Sequence, residues 1–351
     1  MVPFASWSVL SADFLIVLHL TISGVTLSAL LHLASGKWRY EVRQYAISLF
    51  GMYPLAFVLL LILLAFGRTT FPWLGAESHE HLPAWHNYGF LVAREVGGLA
   101  FVGWLYWRFI RLQAVSERST EDWERFKSTA IAIPVTHVLY GTMVAWDFEM
   151  TLRPFWESSV YAMYHFVSNF GMSLAFLVAM IRWLDLSGRA AAPVSEHLYN
   201  YIAQMMLAFT ILWTYLYFAQ YLTIWYGNLP EERDRIDAMA NGDYSVLWWT
   251  FLTLKFIVPF VSLIFTFVRH SPAAIFVVAC SMIVGTWIER YTWIAGTYPV
   301  GAFERAHQPM TSLFDVGVSV AVAVIGVLLL RRALLRNGAI RPKLAAVESA
   351  A

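Results

Sequence analysis

Residues 9–35 read VLSADFLIVLHLTISGVTLSALLHLAS, an apolar run that contains one acidic side chain, Asp13, and no lysine or arginine. A helix that crosses the hydrocarbon core of a bilayer needs about 20 mainly apolar residues, so this run is long enough to span. It is too long for the apolar core of a signal peptide, and it follows no basic leader. We therefore expect a retained membrane-spanning helix here.

The whole chain has the composition of a membrane protein. Of its 351 residues, 59% are apolar and 13% are charged, whereas about a quarter of the residues in an average soluble domain are charged. The formal net charge of +1 gives no reason to expect a nucleic-acid partner. The single cysteine, Cys280, leaves too few thiols for a disulfide, a thiolate-ligated iron–sulfur cluster or covalent c-type haem.

Nine stretches of the chain are long and apolar enough to span a bilayer. They are centred near residues 22, 55, 101, 139, 171, 211, 257, 284 and 321. The connections between them are too short to hold a soluble domain. The fold class that we predict is an all-α integral membrane protein with about nine transmembrane helices.

The basic residues predict the orientation, because short loops rich in Lys and Arg stay in the cytoplasm. Loops near residues 35–44, 108–127, 181–196 and 268–272, with the tail after Leu330, hold 16 of them. The opposite loops hold five, which are Arg68, Arg153, Arg233, Arg235 and Arg305. This asymmetry predicts an outer, periplasmic N-terminus and a cytoplasmic C-terminus.

The predicted outer loops combine acidic and aromatic residues. Residues 77–81 read ESHEH, residues 154–157 read PFWE, and Glu231 is followed by Glu232. Such a surface suits docking of a partner protein, although solvated loops beside an interfacial aromatic belt would give the same pattern.

Ionisable side chains inside the predicted helices are the candidates for function, because a charge in a bilayer costs several kcal/mol unless it is paired or hydrated. Most lie near the predicted outer ends, and Lys255, about eleven residues into its helix, is the deep exception. The candidates for a proton path are Asp13, His19, Arg94, Glu95, His137, Tyr140, Asp147, Glu149, His165, Lys255, Glu289, Arg290 and Asp315. We assign no catalytic residue and no metal ligand.

The fourth predicted helix carries a polar stripe. At about 100° per residue, His137, Tyr140 and Asp147 fall within an arc of roughly 80°. The stripe could conduct protons, or its members could be anchors that bond to neighbouring helices. Arg94 and Glu95 are adjacent, so each should pair with another helix, and Asp147 is the natural partner of Arg94 in an ion pair that could be purely structural.

Lys255 and the histidines leave alternatives open. Lys255 needs a counter-ion or water at its depth, and it suits a proton relay or a structural bond equally. Ligation of a b-type haem by two histidines on one helix is disfavoured, because His19 and His32 lie on different helix faces. His137 and His165 each stand alone on their helices, so a haem between His19 and another helix stays an alternative.

The chain reads as two similar halves. Predicted helices 1–4 and 5–8 both begin outside, carry a histidine in their first helix, His19 or His165, and end with tryptophan and an acid. We therefore expect one four-helix bundle in residues 1–150, a second in residues 151–300, and a ninth helix with a cytoplasmic tail in residues 301–351. A parallel duplication would equally suit a secondary transporter.

Several motifs point to one family. Residues 218–232, FAQYLTIWYGNLPEE, resemble the F-S-Q-Y-x-x-I-W-Y-x-N-x-P-E-E signature of the ActF-type membrane subunit of bacterial alternative complex III. Residues 146–156, WDFEMTLRPFW, resemble its x-D-W-x-M-S-L-x-P-x-W segment. Residues 32–38 and 90–94 are similar to its H-L-T-x-x-x-W and F-F-L-I-R segments, so that the resemblance covers nearly the whole chain.

The resemblance implies membership of the NrfD, or polysulfide-reductase (PsrC-like) membrane subunit, family in the bacterial inner membrane. Its members bind no haem and work with a homologous membrane subunit, an iron–sulfur and molybdopterin-fold protein, and c-type cytochromes. The implied activity is quinol:electron-acceptor oxidoreduction, with cytochrome c or an oxidase as acceptor and menaquinol or ubiquinol as donor. This chain would contribute proton handling, partner docking and, if it is the quinol-binding copy, a quinol pocket near the periplasmic face formed from the same candidate residues.

The chain departs from the family pattern at two places. Lys255-Phe256 stands where relatives show H-F, and Trp287-Ile288-Glu289 stands where they show W-V-D. It also has nine predicted helices, one fewer than the resemblance implies. Two other functions stay open, a secondary transporter with a midplane site at Lys255, Glu289 and Arg290, and a haem-bearing cytochrome b-like subunit.

Overall fold

The computed structural model describes residues 3–75, 82–297 and 306–341. These residues are almost entirely helical, and their only β-type pairing is an isolated antiparallel bridge between Ala190 and Ile340. Eight helices are long and apolar enough to cross a membrane. The predicted class, an all-α membrane protein, is confirmed.

Nine long helices follow one another in the described residues. They are α1 (Phe4–Leu33), α2 (Arg39–Ala65), α3 (Tyr88–Gln113), α4 (Thr120–Phe148), α5 (Tyr161–Leu186), α6 (Glu196–Gly227), α7 (Ser245–Leu263), α8 (Pro272–Ala295) and α9 (Leu313–Arg336). Helix α3 is not among the eight that meet the criteria of both length and apolar content, and it carries Arg94 and Glu95 inside its apolar stretch. Its 26 residues are nevertheless long enough to span.

Helix α1 lies at the centre of the molecule. In the most apolar 18-residue stretch of α1, 89% of the residues are buried, compared with 22% in the corresponding stretch of α9. It packs against α2, α4, α5, α8 and α9, and Gly24 allows close approach because a Cβ there would lie 2.3 Å from the Ala46 carbonyl oxygen. Polar residues on α1 are therefore buried between helices instead of facing lipid.

Helix α7 changes geometry at its functional candidate. Residues Thr253–Ile257 form a π-helical turn, and Pro259 follows it. A proline has no N–H and its ring clashes with the carbonyl four residues earlier, which here belongs to Lys255. The wider π turn accommodates Pro259 and places Lys255 on the buried side of α7.

Helices within each predicted group of four contact one another, but α1 also contacts α5 and α8, and α4 contacts α5. The division into bundles at residues 150 and 300 and the side of each terminus therefore stay predictions. Of the predicted outer loops, residues 77–81, Arg305 and the side chain of Glu231 lie outside the described residues.

Candidate functional site

A buried polar network lies where the C-terminal ends of α4 and α8 and the N-terminal end of α5 meet the middle of α7. Helix α5 contributes Tyr161, Tyr164, His165 and Ser168, whose spacing places them on one face of the helix. Glu149 directly follows α4, while α8 contributes Glu289 and Arg290 near its end. Every predicted candidate residue is buried, including those outside this network.

Glu289 is surrounded by donors. Its Oε2 accepts hydrogen bonds from Lys255 Nζ and, at 2.6 Å, from Ser168 Oγ. Its Oε1 accepts from Tyr164 and, at 3.0 Å, from Trp213 Nε1. Lys255 Nζ also lies 2.5 Å from Ser168 Oγ and 4.5 Å from the centre of the Trp213 ring. The predicted need of Lys255 for a counter-ion is confirmed, and Glu289 supplies it.

Glu149 forms the other acidic centre. Its Oε2 lies 2.5 Å from Arg290 Nη1, 2.7 Å from the Tyr161 hydroxyl and 2.8 Å from His165 Nδ1. Its Oε1 is buried and has no hydrogen-bond partner among the described residues. Arg290 also approaches Glu289, with Nη2 3.0 Å from Oε1, in an ion pair that lacks hydrogen-bond alignment.

The network therefore alternates in charge, from Lys255 to Glu289 to Arg290 to Glu149. Burial of four charges costs several kcal/mol per ion in desolvation, which mutual attraction offsets only when the geometry is good. Two positive and two negative groups balance one another. This arrangement holds charge deep in the protein and leaves one carboxylate oxygen of the network, Glu149 Oε1, without a hydrogen-bond partner among the described residues.

Histidines extend the network towards the middle of helices α1 and α4. His165 Nε2 lies 2.8 Å from His19 Nε2, so one ring donates and the other accepts in an N–H···N hydrogen bond. The His137 ring stacks 6.3 Å from the His19 ring, and His137 Nδ1 lies 2.9 Å from Thr26 Oγ1. His137 and His165, which stand alone on their own helices, are thus brought together with His19 by three helices.

The same hydrogen bond bears on the haem alternative. Axial ligation by His19 and His165 would place their nitrogens on opposite sides of an iron atom, and the direct contact leaves no such space. Among the residues that the structure describes, no group of three or more His, Cys, Asp or Glu could hold a metal ion.

A second polar cluster joins α3 to α4. Arg94 binds Asp147 through two hydrogen bonds of 2.6 and 2.7 Å, so the predicted ion pair is confirmed. Trp85 Nε1 donates to the same carboxylate at 2.7 Å, and its ring lies 4.1 Å from the Arg94 guanidinium. Glu95, as predicted, bonds to the other helix, where its Oε2 accepts from the Tyr140 hydroxyl at 3.1 Å.

The single polar stripe predicted on α4 is divided in the structure. Tyr140 and Asp147 bond to α3, whereas His137 bonds to Thr26 of α1. The stripe covers an arc wide enough to contact two helices, so the prediction of one continuous path along α4 is wrong. His137 belongs with the histidines, and the other two belong to the cluster between α3 and α4.

The remaining candidates lie apart from both clusters. Asp13 accepts from Trp287 Nε1 and from Ser319 Oγ, both at 2.7 Å, and thereby joins α1 to α8 and α9. Asp315 lies in the first turn of α9, where it accepts from Ser312 Oγ at 2.6 Å and contacts His307 Nε2 at 2.8 Å. Ser312 is the N-cap of α9 and its Oγ accepts from Asp315 N at 3.1 Å, so the two residues bond to each other as in a capping box.

Arg235 is a buried cation beside the network that the sequence does not identify as a candidate. It was counted with the outer loops, but it is fully buried in the short helix Pro230–Ala240. Its guanidinium lies 4.4 Å from the Trp156 ring and donates to the Glu149 carbonyl at 2.8 Å. Trp156, expected on the outer docking surface, is therefore buried, while Phe155 is exposed. Trp156 is the one sequence signal that could have indicated a buried contact for Arg235. The position of Arg235 in a predicted loop indicated exposure instead.

Comparisons with known proteins add no relative. No protein-family model matches the chain, and no curated protein matches it at a significant level.

Proposed function

We propose that this chain is a proton-handling membrane subunit of a quinol:electron-acceptor oxidoreductase complex of the alternative complex III type. In this proposal it lies in the bacterial inner membrane with its N-terminus in the periplasm and its C-terminus in the cytoplasm. The observation that carries the proposal is the buried chain of contacts from Lys255 through Glu289, Arg290, Glu149 and His165 to His19. The family motifs in the sequence supply the link to quinol chemistry.

Quinol oxidation releases two protons and two electrons, and the residues of this chain suit the protons. In the family that the motifs indicate, electrons pass to iron–sulfur and c-type haem groups on partner subunits, and we assign them to such partners here. Carboxylates and imidazoles within hydrogen-bond distance can pass protons between them. In this proposal Glu149 Oε1 accepts a proton that reaches the network from a quinol site elsewhere in the complex, and the hydrogen bond between His165 and His19 is the next step of the path.

Two small cavities favour continuation of the path through water. One, of about 10 Å³, lies beside Lys255 and is lined by Thr210, and another of the same volume is lined by Ser23 and Ser173. Each volume is close to that of a single water molecule. Thr210 Oγ1 and Ser23 Oγ are buried and lack hydrogen-bond partners among the described residues, so water in each cavity would have a protein partner.

Two roles are open to a subunit of such a complex, and the geometry favours one. A quinol-binding acid must be reachable by the quinol headgroup, whereas the four charged members of this network are all buried and paired. Asp147 is likewise enclosed by Arg94 and Trp85. These contacts favour the proton-conducting copy over the copy that holds quinol.

A secondary transporter is the second candidate, and the π-helical turn of α7 favours it. Transporters place substrate sites at interrupted helices near the midplane, and Lys255 lies in such an interruption opposite Glu289 of α8. That site would alternate between the two sides of the membrane without a redox partner.

Isolation in mild detergent separates the two candidates. Our proposal predicts co-purification with iron–sulfur and c-type cytochrome subunits, identified by mass spectrometry, and quinol-dependent reduction of an acceptor by the isolated complex. Isolation of the chain alone, together with substrate uptake in proteoliposomes, would support the transporter and overturn our proposal.

A further inference from the structure

A large apolar groove lies at the opposite end of the molecule from the buried network. Its volume is about 620 Å³, and it is lined by α5, α8, α9 and the segment after α9. The walls include Phe176, Trp183, Phe276 and Leu330. None of the candidate residues of the proton path lines it.

Three arginines border this groove. Arg331 comes from the last two turns of α9, and Arg189 and Arg341 come from the segments after α5 and α9. Those two segments are held together, because Arg341 N donates to the Arg189 carbonyl at 3.0 Å beside the bridge between Ala190 and Ile340. The pairing fixes both arginines at the same end of the groove.

The arginines have no acidic counterpart there. Within the described residues no carboxylate lies at ion-pair distance from any of the three side chains, and no acidic residue lines the groove. Asp185, one turn before Arg189, is already paired with Arg182 at 3.0 Å. The groove therefore combines apolar walls with an unneutralised positive end.

The dimensions of the groove match one leaflet of a bilayer. Its wall on α5 runs from residue 176 to the end of the helix, ten residues or about 15 Å at 1.5 Å per residue. One leaflet contributes about half of the roughly 30 Å hydrocarbon core. Trp183 is exposed at the arginine end, where an amphipathic ring suits the headgroup level.

We propose that this groove is a binding site for an anionic phospholipid, whose acyl chains lie along α5, α8 and α9 and whose phosphate is held by Arg189, Arg331 and Arg341. Apolar walls with several arginines at one end match both parts of such a lipid. Basic pockets between transmembrane helices on the cytoplasmic side bind anionic headgroups in this way. The site does not depend on the redox proposal.

Native mass spectrometry of the detergent-isolated, delipidated protein tests the site. We expect phosphatidylglycerol to bind about tenfold or more tightly than phosphatidylcholine. The double variant Arg331→Gln with Arg341→Gln should lose this preference. The control double variant Arg332→Gln with Arg336→Gln removes the same charge from exposed positions of α9 that do not line the groove, and it should keep the preference.

Three outcomes would overturn the proposal. They are equal binding of the two lipids by the wild-type chain, a preference that survives in the groove variant, and displacement of phosphatidylglycerol by millimolar inorganic phosphate or by a short-chain quinone. If the groove variant does not fold, photoactivatable phosphatidylglycerol decides on the wild-type protein. Cross-links should map to residues 176–189, 276–283 and 327–341, and cross-links confined to other segments would contradict the site.

Discussion

Glu149 and Glu289 differ in how fully their oxygens are occupied. A carboxylate offers about four acceptor positions, and Glu289 receives donors from α5, α6 and α7 as well as the charge of Arg290. Glu149 leaves Oε1 without a described partner. At the residue scale, we therefore propose that Glu289 is the structural acid that holds Lys255 and that Glu149 is the acid that takes part in proton transfer.

Replacing Glu289 should cost more stability than replacing its ion-pair partner Lys255. Glu289→Gln leaves Lys255 with no ion-pair partner in the described structure, and a buried unpaired charge costs about 3 to 5 kcal/mol. Lys255→Met should cost less, because Glu289 keeps Arg290. In detergent, the Glu289→Gln protein should unfold at a lower temperature than the Lys255→Met protein. The double variant should recover part of the stability that Glu289→Gln loses. Additive losses in the double variant would contradict direct pairing.

His19 should be required for proton transfer and not for assembly. His19→Gln keeps a polar side chain of similar length but cannot relay a proton from His165, so quinol-coupled turnover should fall about 100-fold, in the range for loss of one acid–base group. His32→Gln is the matched control, because His32 lies on the same helix and bonds only to the Ser28 carbonyl in the described structure. Equal activity of the two variants would remove His19 from the path.

At the scale of elements, the pair formed by Arg94 and Asp147 acts as a clamp between α3 and α4. Both side chains are buried and bonded in two places, and Trp85 closes the cluster. Within the part of the chain that the structure describes, no chain of side-chain hydrogen bonds connects the clamp to His19 or Glu149. The role that follows is to fix α3, which carries Arg94 and Glu95 inside its apolar stretch, against its neighbour.

Asp147→Asn should accordingly act on stability. It leaves Arg94 buried without an acid among the described residues, at a cost of about 3 to 5 kcal/mol. Glu95→Gln, on the adjacent position, keeps an acceptor for Tyr140 and should be nearly neutral. Detergent stability and the yield of assembled protein measure both variants. A stable Asp147→Asn protein that has lost turnover would instead place Asp147 in the proton path.

The helices and this clamp could be predicted from the sequence, and the histidine cluster could not. Hydropathy is a local property, so the long apolar runs indicate their helices, and Asp147 on the next helix is the natural ion-pair partner of Arg94. His19 and His165 are 146 residues apart, and no local periodicity encodes which helix faces meet. The burial of Arg235 could not be predicted for the same reason, because it depends on Trp156 and Trp293, which belong to two other segments of the chain.

At the scale of the whole molecule, the two ends differ in chemistry. The buried charges gather at the end where α4 finishes and α5 begins, and the arginine-bordered groove lies at the end where α5 and α9 finish. In the proposed orientation the proton network faces the periplasm and the basic groove faces the cytoplasm. That arrangement agrees with the concentration of lysine and arginine in the loops that the sequence predicts on the cytoplasmic side.

Reporter fusions check this orientation. Green fluorescent protein at the C-terminus should fluoresce, because the reporter folds in the cytoplasm. Alkaline phosphatase should be active when fused after residue 158 and inactive when fused after residue 116. The reverse pattern would indicate the opposite orientation in the membrane, with the buried network on the cytoplasmic side.

The substitution Glu149→Gln tests the central claim most directly. In the intact complex isolated in mild detergent, it should leave subunit composition unchanged and lower quinol:acceptor turnover about 100-fold, since the accepting carboxylate is replaced by an amide of the same shape. Glu157→Gln, an exposed acid in the same outer segment, should retain wild-type turnover. Full quinol oxidation by the Glu149→Gln complex would contradict the assignment of proton transfer to this network.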